Sequence, residues 1–188
     1  VELDGPAGVL AATRHGPAPY PGLVLIHGGG QSHHSWRKIA AILSDQGQGS
    51  LAYDLRGHGQ SAFAQDGNYR YPALIRDLDV VIDAAGAPAV LVGFSLGGKI
   101  ALAAAGSLTP GRVAGIVLID SVPRQRLAGV GQVASAIRTP EGGFASPEEA
   151  ADQLARAQDR KSGTIDAARL KRSMRQQPDG RWKWHWDE

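Results

Sequence analysis

The sequence predicts an α/β fold built on a doubly wound, mostly parallel sheet, and three observations carry that prediction. Short β-rich runs alternate with amphipathic helical stretches from Val1 to Asp120. Four of the runs are continuously apolar, as strands buried on both faces of a parallel sheet should be. Glycine-rich turns follow where such strands would end. Alternation of this kind implies parallel neighbours joined by right-handed helical crossovers.

Taken in order, the strand candidates are residues 8–13, 23–27, 50–54, 89–94 and 113–119. Between them, Trp36, Ile39, Ala40 and Leu43 share one helical face, and so do Leu74, Leu78, Val81, Ile82 and Ala85. A helix-like stretch, 99–105, follows the fourth strand. After Pro123 the β-runs stop and Ala, Arg and Gln dominate. That shift divides the chain into a six-stranded sheet portion, 1–122, and a helical cap segment, 123–188. In the second part Leu127, Val130, Ala134 and Ile137 keep helical spacing, as do Ala150, Leu154 and Ala157, and then Ala167, Leu170 and Met174.

Composition narrows the functional classes. With 188 residues and 43% apolar content, one full core and a small appendage are expected. No apolar run approaches the roughly 18 residues of a membrane span. With no cysteine there is neither a disulfide framework nor a thiolate metal site, which favours a reducing compartment, the cytoplasm. A formal charge of +2 with dispersed Lys and Arg offers no nucleic-acid footprint. The expected partner is a small-molecule substrate, with no nucleic acid and no membrane.

The chemistry concentrates at Ser95, in Gly93-Phe94-Ser95-Leu96-Gly97-Gly98 between the apolar run at 90–92 and the helical stretch. Strand, sharp turn and helix with a hydroxyl at the apex form a nucleophile elbow. Gly93 and Gly97 remove side-chain atoms that would crowd so tight a turn. In a chain with 25 glycines the pattern is weak alone, so its surroundings must supply specificity. His27-Gly28-Gly29-Gly30 follows the second strand. When a serine attacks an ester, two preorganised backbone N–H groups can hold the oxyanion, and Leu96 and Gly29 are the candidates. Gly28, Gly30, His33, His34 and Phe94 are candidate substrate-pocket residues; the two histidines are otherwise surface or rim positions. A third segment, Asp54-Leu55-Arg56-Gly57-His58-Gly59-Gln60-Ser61, closes the next strand. A rival reading takes residues 93–99 as a phosphate loop, but Ile100 stands where that pattern needs a magnesium-ligating Ser or Thr.

These three motifs, in this order, resemble the α/β-hydrolase superfamily in its capped, serine-nucleophile form, over about residues 1–120. The resemblance implies a hydrolase acting on a small ester, amide or related carbonyl through an acyl-enzyme, with no metal and no organic cofactor. It also implies that the Asp54–Ser61 loop is chiefly structural, with His58 organising the loop.

The pattern departs from that family after Ser95. Asp120, at the end of the fifth strand, is the candidate acid; its alternative reading is a polar residue terminating a buried strand. His185 is the one histidine after Ser95 and so the candidate base, although its flanking tryptophans equally suit docking of the cap. In the resembling family two further strands carry the usual acid and histidine, so the chain reads as C-terminally truncated. An open sheet edge near 113–119 would then favour association. Trp182, Trp184 and Trp186 alternate as they would on one side of an extended strand, either buried or as a ligand platform. Arg169, Lys171, Arg172 and Arg175 read as a solvated helix face or as an attraction for an acidic partner. The alternative function is a catalytically incomplete hydrolase fold that only binds a ligand or partner.

Overall fold

The computed structural model describes residues 1–16, 22–122 and 138–187, and the chain divides into two compact units, Val1–Pro123 and Arg124–Glu188. In the first unit six strands form one sheet: β1 (Glu2–Gly5), β2 (Gly8–His15), β3 (Leu23–Ile26), β4 (Ser50–Tyr53), β5 (Ala89–Phe94) and β6 (Val113–Ile119). Their order is β1-β2-β4-β3-β5-β6. β1, β2 and β4 pair antiparallel in succession, and β4, β3, β5 and β6 are parallel. Three helices make the crossovers: α1 (Arg37–Asp45), α2 (Tyr71–Ala85) and α3 (Leu96–Ser107).

The side-chain period of a strand sorts the apolar runs onto two faces. Val24, Ile26, Leu51, Tyr53 and Leu91 meet Leu78, Val81 and Ile82 of α2 and Ile100, Ala101 and Ala104 of α3 in the larger core. Leu25 and Ala52, with the partly buried Val92 and Phe94, face Trp36 and Ala40 on the other side. Trp36 closes a short 3-10 helix, His33–Trp36, that leads into α1. This two-sided burial is why alternation was invisible in those runs.

Several expectations change. β1 pairs with β2 from Glu2↔Ala11 to Gly5↔Gly8, a hairpin strand too short and polar to stand out. α3 begins at Leu96, directly after Ser95, rather than at Lys99. Ile39 is 44% exposed, so the buried stripe of α1 is narrower than its spacing suggested. β6, whose apolar run reads as buried on both faces, pairs among the described residues only with β5 and leaves Val117, Leu118 and Ile119 at 46%, 38% and 37% exposure, in keeping with the open edge expected near 113–119.

In the second unit, α4 (Pro147–Ala157) starts at Ser146, whose hydroxyl accepts the Glu149 N–H at 3.3 Å, a satisfied N-cap. A short α5 (Ala167–Leu170) and a 3-10 turn (Lys171–Ser173) lead to β7 (Met174–Gln176), which pairs antiparallel with β8 (Trp182–Trp184). Met174 is therefore a strand residue, not the last of a helical stripe, and the segment expected to be helical contains a hairpin. The hairpin buries Met174, Trp184 and Trp186 against Phe144 and Ala150. Residues Leu127, Val130, Ala134 and Ile137 lie outside the described residues. No helix among the described residues is long and apolar enough to cross a membrane.

Candidate active site

Ser95 leaves β5 with φ 49° and ψ −110°, in a region that residues with a Cβ rarely adopt. Such a conformation costs about 1–3 kcal/mol and persists only where neighbours over-determine it. Here they do. The Ser95 N–H donates to the Ile119 carbonyl at 2.9 Å, continuing the β5–β6 ladder, and the Ser95 carbonyl accepts from Gly98 N, Lys99 N and the Ser121 hydroxyl at 3.1, 3.2 and 3.0 Å. A Cβ on Gly97 would come within 2.6 Å of the His27 carbonyl oxygen, and one on Gly93 would come equally close to the Gly97 backbone. Only glycine lets α3 start this near to β3 and β5. Ser95 is half-buried.

On the β3 side, the turn after Ile26 partitions its amides. The Gly28 N–H donates to Gln31 Oε1 at 3.1 Å, and the Gly30 N–H donates to His58 Nε2 at 3.2 Å. The Gly29 N–H has no partner among the described residues. The peptide plane that carries it is fixed nonetheless, because the Gly28 carbonyl accepts from His27 Nδ1 at 2.7 Å and from Gln31 N at 3.2 Å. Gly29 is exposed, and the nearest atom to a Cβ built on it is Leu96 Cδ2 at 3.7 Å. Leu96 is the first residue of α3, so its own N–H has no partner within the helix. Gly28 is packed beneath Phe94, whose Cδ1 lies 2.8 Å from where a Gly28 Cβ would stand.

The Asp54–Ser61 loop ties this turn down. Leu55 N donates to His27 Nε2 at 3.0 Å, so His27 is a neutral ring with its proton on Nδ1. His58 has the same tautomer, Nδ1 donating to the Arg56 carbonyl at 3.1 Å and Nε2 accepting from Gly30. The two rings stand 5.2 Å apart. The Asp54 carboxylate accepts from His33 N at 2.6 Å and from Gln60 N at 2.8 Å, and the His33 ring Nδ1 is 2.9 Å from it. Burial pushes the Asp54 carboxyl up, but the hydrogen bonds from the His33 ring and from the Gln60 and His33 amides outweigh it, holding the group below its ordinary value. The loop is anchored in turn by Arg56, whose Nε and Nη2 donate to Asp77 of α2 at 2.5 and 2.6 Å.

On the β6 side the last ladder pair is Phe94↔Ile119, so Ser95 and Asp120 leave their strands side by side. Both turn with positive φ, 49° and 48°. Asp120 is exposed.

Gly28, Gly29, Gly30, Phe94 and Leu96 thus gather at the carboxyl ends of β3 and β5. His34 is exposed and its ring lies 4.0 Å from that of His33. His33, expected at the surface or rim, is only 5% exposed because Asp54 holds it. His185 belongs to the second unit, where its N–H donates to the Ser173 carbonyl at 3.0 Å and its ring stands edge-on to Trp186 at 5.6 Å. Trp184 stacks on Trp186 at 4.7 Å, and both are buried, unlike an open ligand platform. Lys171 Nζ lies 5.1 Å over the Trp182 ring. No cluster of three or more His, Asp or Glu suited to a metal occurs among the described residues. Sequence reasoning missed Gln31 and the Asp54–His33 pair; their signal is position, immediately after the glycine turn and at the head of the following loop.

A family model described as the alpha/beta hydrolase fold matches residues 21–183. The chain belongs to that family. The Mycobacterium tuberculosis esterase Rv0045c is 38% identical over 118 residues, 62% of this chain and 38% of that protein. Protein phosphatase methylesterase 1 of Bos taurus is 32% identical over 135 residues, covering 69% of this chain and 36% of the relative. Among solved structures, that of the M. tuberculosis esterase aligns with a TM-score of 0.72 at 31% identity, over 100% of this chain and 64% of the other. An alpha/beta hydrolase from Novosphingobium aromaticivorans reaches a TM-score of 0.78 at 24% identity over 100% of this chain and 67% of its own, a likeness of fold alone. The chain spans about two fifths of the length of the curated relatives it matches first.

Proposed function

We propose that this α/β hydrolase cleaves small esters through an acyl-serine intermediate, with Ser95 as nucleophile and the N–H groups of Leu96 and Gly29 as oxyanion donors. The observation that carries the reading is the partition of the glycine turn: the amides flanking Gly29 are spent on Gln31 and His58, and the one left over belongs to an exposed residue on which a Cβ would stand 3.7 Å from Leu96 Cδ2. The relatives named esterase and methylesterase support an ester as the substrate class.

In this reaction Ser95 Oγ attacks the carbonyl carbon, and the carbonyl π electrons move onto oxygen, where the two N–H groups meet the developing charge. The hydroxyl proton passes to an imidazole base, which the resembling family carries on strands after the cap and which this reading assigns to none of His27, His33, His58 and His185, and returns from it to the departing alkoxide, leaving the acyl group on Ser95. Water then repeats the sequence and releases the acid. Asp120, side by side with Ser95 at the strand ends, is the carboxylate we assign to orient that imidazole. His27 and His58 have both ring nitrogens engaged in neutral, loop-holding bonds, and His33 faces Asp54, so none of the three is assigned the proton. His185 we read as a packing residue of the second unit.

A fluorophosphonate probe tests the assignment, since it phosphonylates an activated serine. In a protein that also carries the base, labelling is expected on Ser95 and is lost in Ser95→Ala; labelling that survives Ser95→Ala overturns the reading. His185→Ala is expected to leave labelling in place. Complete loss in a variant whose second unit stays folded would instead make His185 the base.

A further inference from the structure

The backbone rotation at Ser95 is the relation between two peptide planes, one carrying its own N–H and the next carrying its carbonyl together with the Leu96 N–H. Both planes are tied to the end of β6. The Ser95 N–H donates to the Ile119 carbonyl at 2.9 Å, and the Ser121 hydroxyl donates to the Ser95 carbonyl at 3.0 Å. In a parallel ladder that contains the first of these bonds, the second belongs to the Ser121 N–H. Asp120 turns out of the strand with φ 48°, and the side chain of Ser121 takes the place of its amide. We infer that Ser121 is a positioning residue for catalysis: its hydroxyl, bonded to the very peptide that carries the Leu96 N–H, holds Ser95 in its strained conformation and so aims both the Cβ that carries the nucleophile and that oxyanion donor. This rests on the acyl-serine reading, in which Ser121 acts only through the Ser95 carbonyl.

The geometry supports this in two further respects. The other donors to the Ser95 carbonyl, Gly98 N and Lys99 N at 3.1 and 3.2 Å, belong to the first turn of α3 and move with it, so among the described residues Ser121 alone ties that carbonyl to the β6 side. The seat of Ser121 is also kept clear for it, since a Cβ on Gly98 would stand 2.6 Å from both its Cβ and its Oγ. A strained residue relaxes when a neighbour that over-determines it is removed. An oxyanion donor matters in the transition state more than in the ground state, so misaiming it lowers kcat and spares KM.

The test uses p-nitrophenyl acetate, in a protein that also carries the base, with the wild type, Ser121→Ala, Ser121→Cys, Ser121→Thr and Ser95→Ala, together with crystal structures of the wild type and Ser121→Ala. Expected for Ser121→Ala is a kcat loss of about tenfold or more, with KM within about twofold, because small misplacements of a catalytic group cost of this order. Ser121→Cys nearly keeps the volume but offers only a weak S–H donor, and its loss is comparable. Ser121→Thr keeps the hydroxyl and recovers most of the activity. In the Ser121→Ala crystal the Ser95 backbone moves from φ 49° and ψ −110° by more than about 20°, outside the tolerance of a catalytic geometry. A Ser121→Ala enzyme with kcat within about twofold of wild type overturns the inference, as do Ser95 angles that stay within that margin or a Cys variant as active as wild type. Should Ser121→Ala fail to fold, the difference between the Cys and Thr variants decides. Turnover that persists in Ser95→Ala overturns the underlying reading and the inference with it, whereas Ser95-dependent turnover without the Ser121 effects overturns the inference alone.

Discussion

On the β3 side of Ser95, Val24, Leu25 and Ile26 are fully buried and the turn beyond them is bonded to the Asp54–Ser61 loop, whereas on the β6 side Val117, Leu118 and Ile119 are partly open to water and Asp120 is exposed. The two strands have similar apolar sequences and the same parallel pairing to β5. Their difference comes from what covers them: β3 lies between two neighbours and two helical layers, and β6 has one neighbour among the described residues. On the sealed flank the peptide planes of the glycine turn are held by bonds within it and to the neighbouring loop, the kind of fixing in advance that a donor to a developing charge needs.

The strongest test of this contrast is on the open flank. Asp120→Asn keeps the shape of the side chain and removes its charge, so if it orients the imidazole, kcat falls by roughly a thousandfold or more, in line with losing a triad acid. Steady-state turnover of p-nitrophenyl acetate measures it, and a loss under tenfold removes Asp120 from the mechanism. Next in size, Asp77→Ala leaves the buried Arg56 guanidinium without its carboxylate and should cost roughly 3–5 kcal/mol in urea unfolding; a cost under about 1 kcal/mol would mean that the loop is not held from α2. A paired comparison follows. Leu25→Ala, at a fully buried position, should cost about 3 kcal/mol, and Leu118→Ala on β6 about 1 kcal/mol or less. Equal costs would mean that β6 is covered in solution.

The smallest effect concerns pH. The Asp54 carboxyl is held below the ordinary 3.8, so its ionised form stabilises the folded chain. That contribution is complete well above pH 4 and is lost as pH falls through the folded value. Urea unfolding between pH 6 and pH 3 should show a steeper acid decline for the wild type than for Asp54→Asn. Parallel declines would mean that the carboxylate contributes nothing on ionisation.

Much of the first unit was legible because β3, β4 and β5 are apolar runs of strand length, ended by glycine or a polar residue. β1 was not, since four residues ending in Asp4-Gly5 carry no apolar pattern and owe their pairing to β2. Met174 fits a helical stripe by spacing, yet it pairs with Trp184, a contact ten residues away that local periodicity cannot register. The exposure of β6 agrees with the open edge expected near 113–119, although its apolar run taken alone reads as a strand buried on both faces. At the candidate site, the motifs mark where the turns lie. Which of three identical glycine amides is left open depends on Gln31 and His58, and sequence order does not reveal that division.

The burial of the Asp54–Ser61 loop has a consequence for how the protein would fail on heating. Asp54, Leu55 and Arg56 are no more than 3% exposed, and Arg56 is paired with Asp77 of α2, so the loop belongs to the same cooperative unit as the sheet. The glycine turn and the strands beneath it would come apart in one transition. No warm state would keep an intact sheet and a loosened turn.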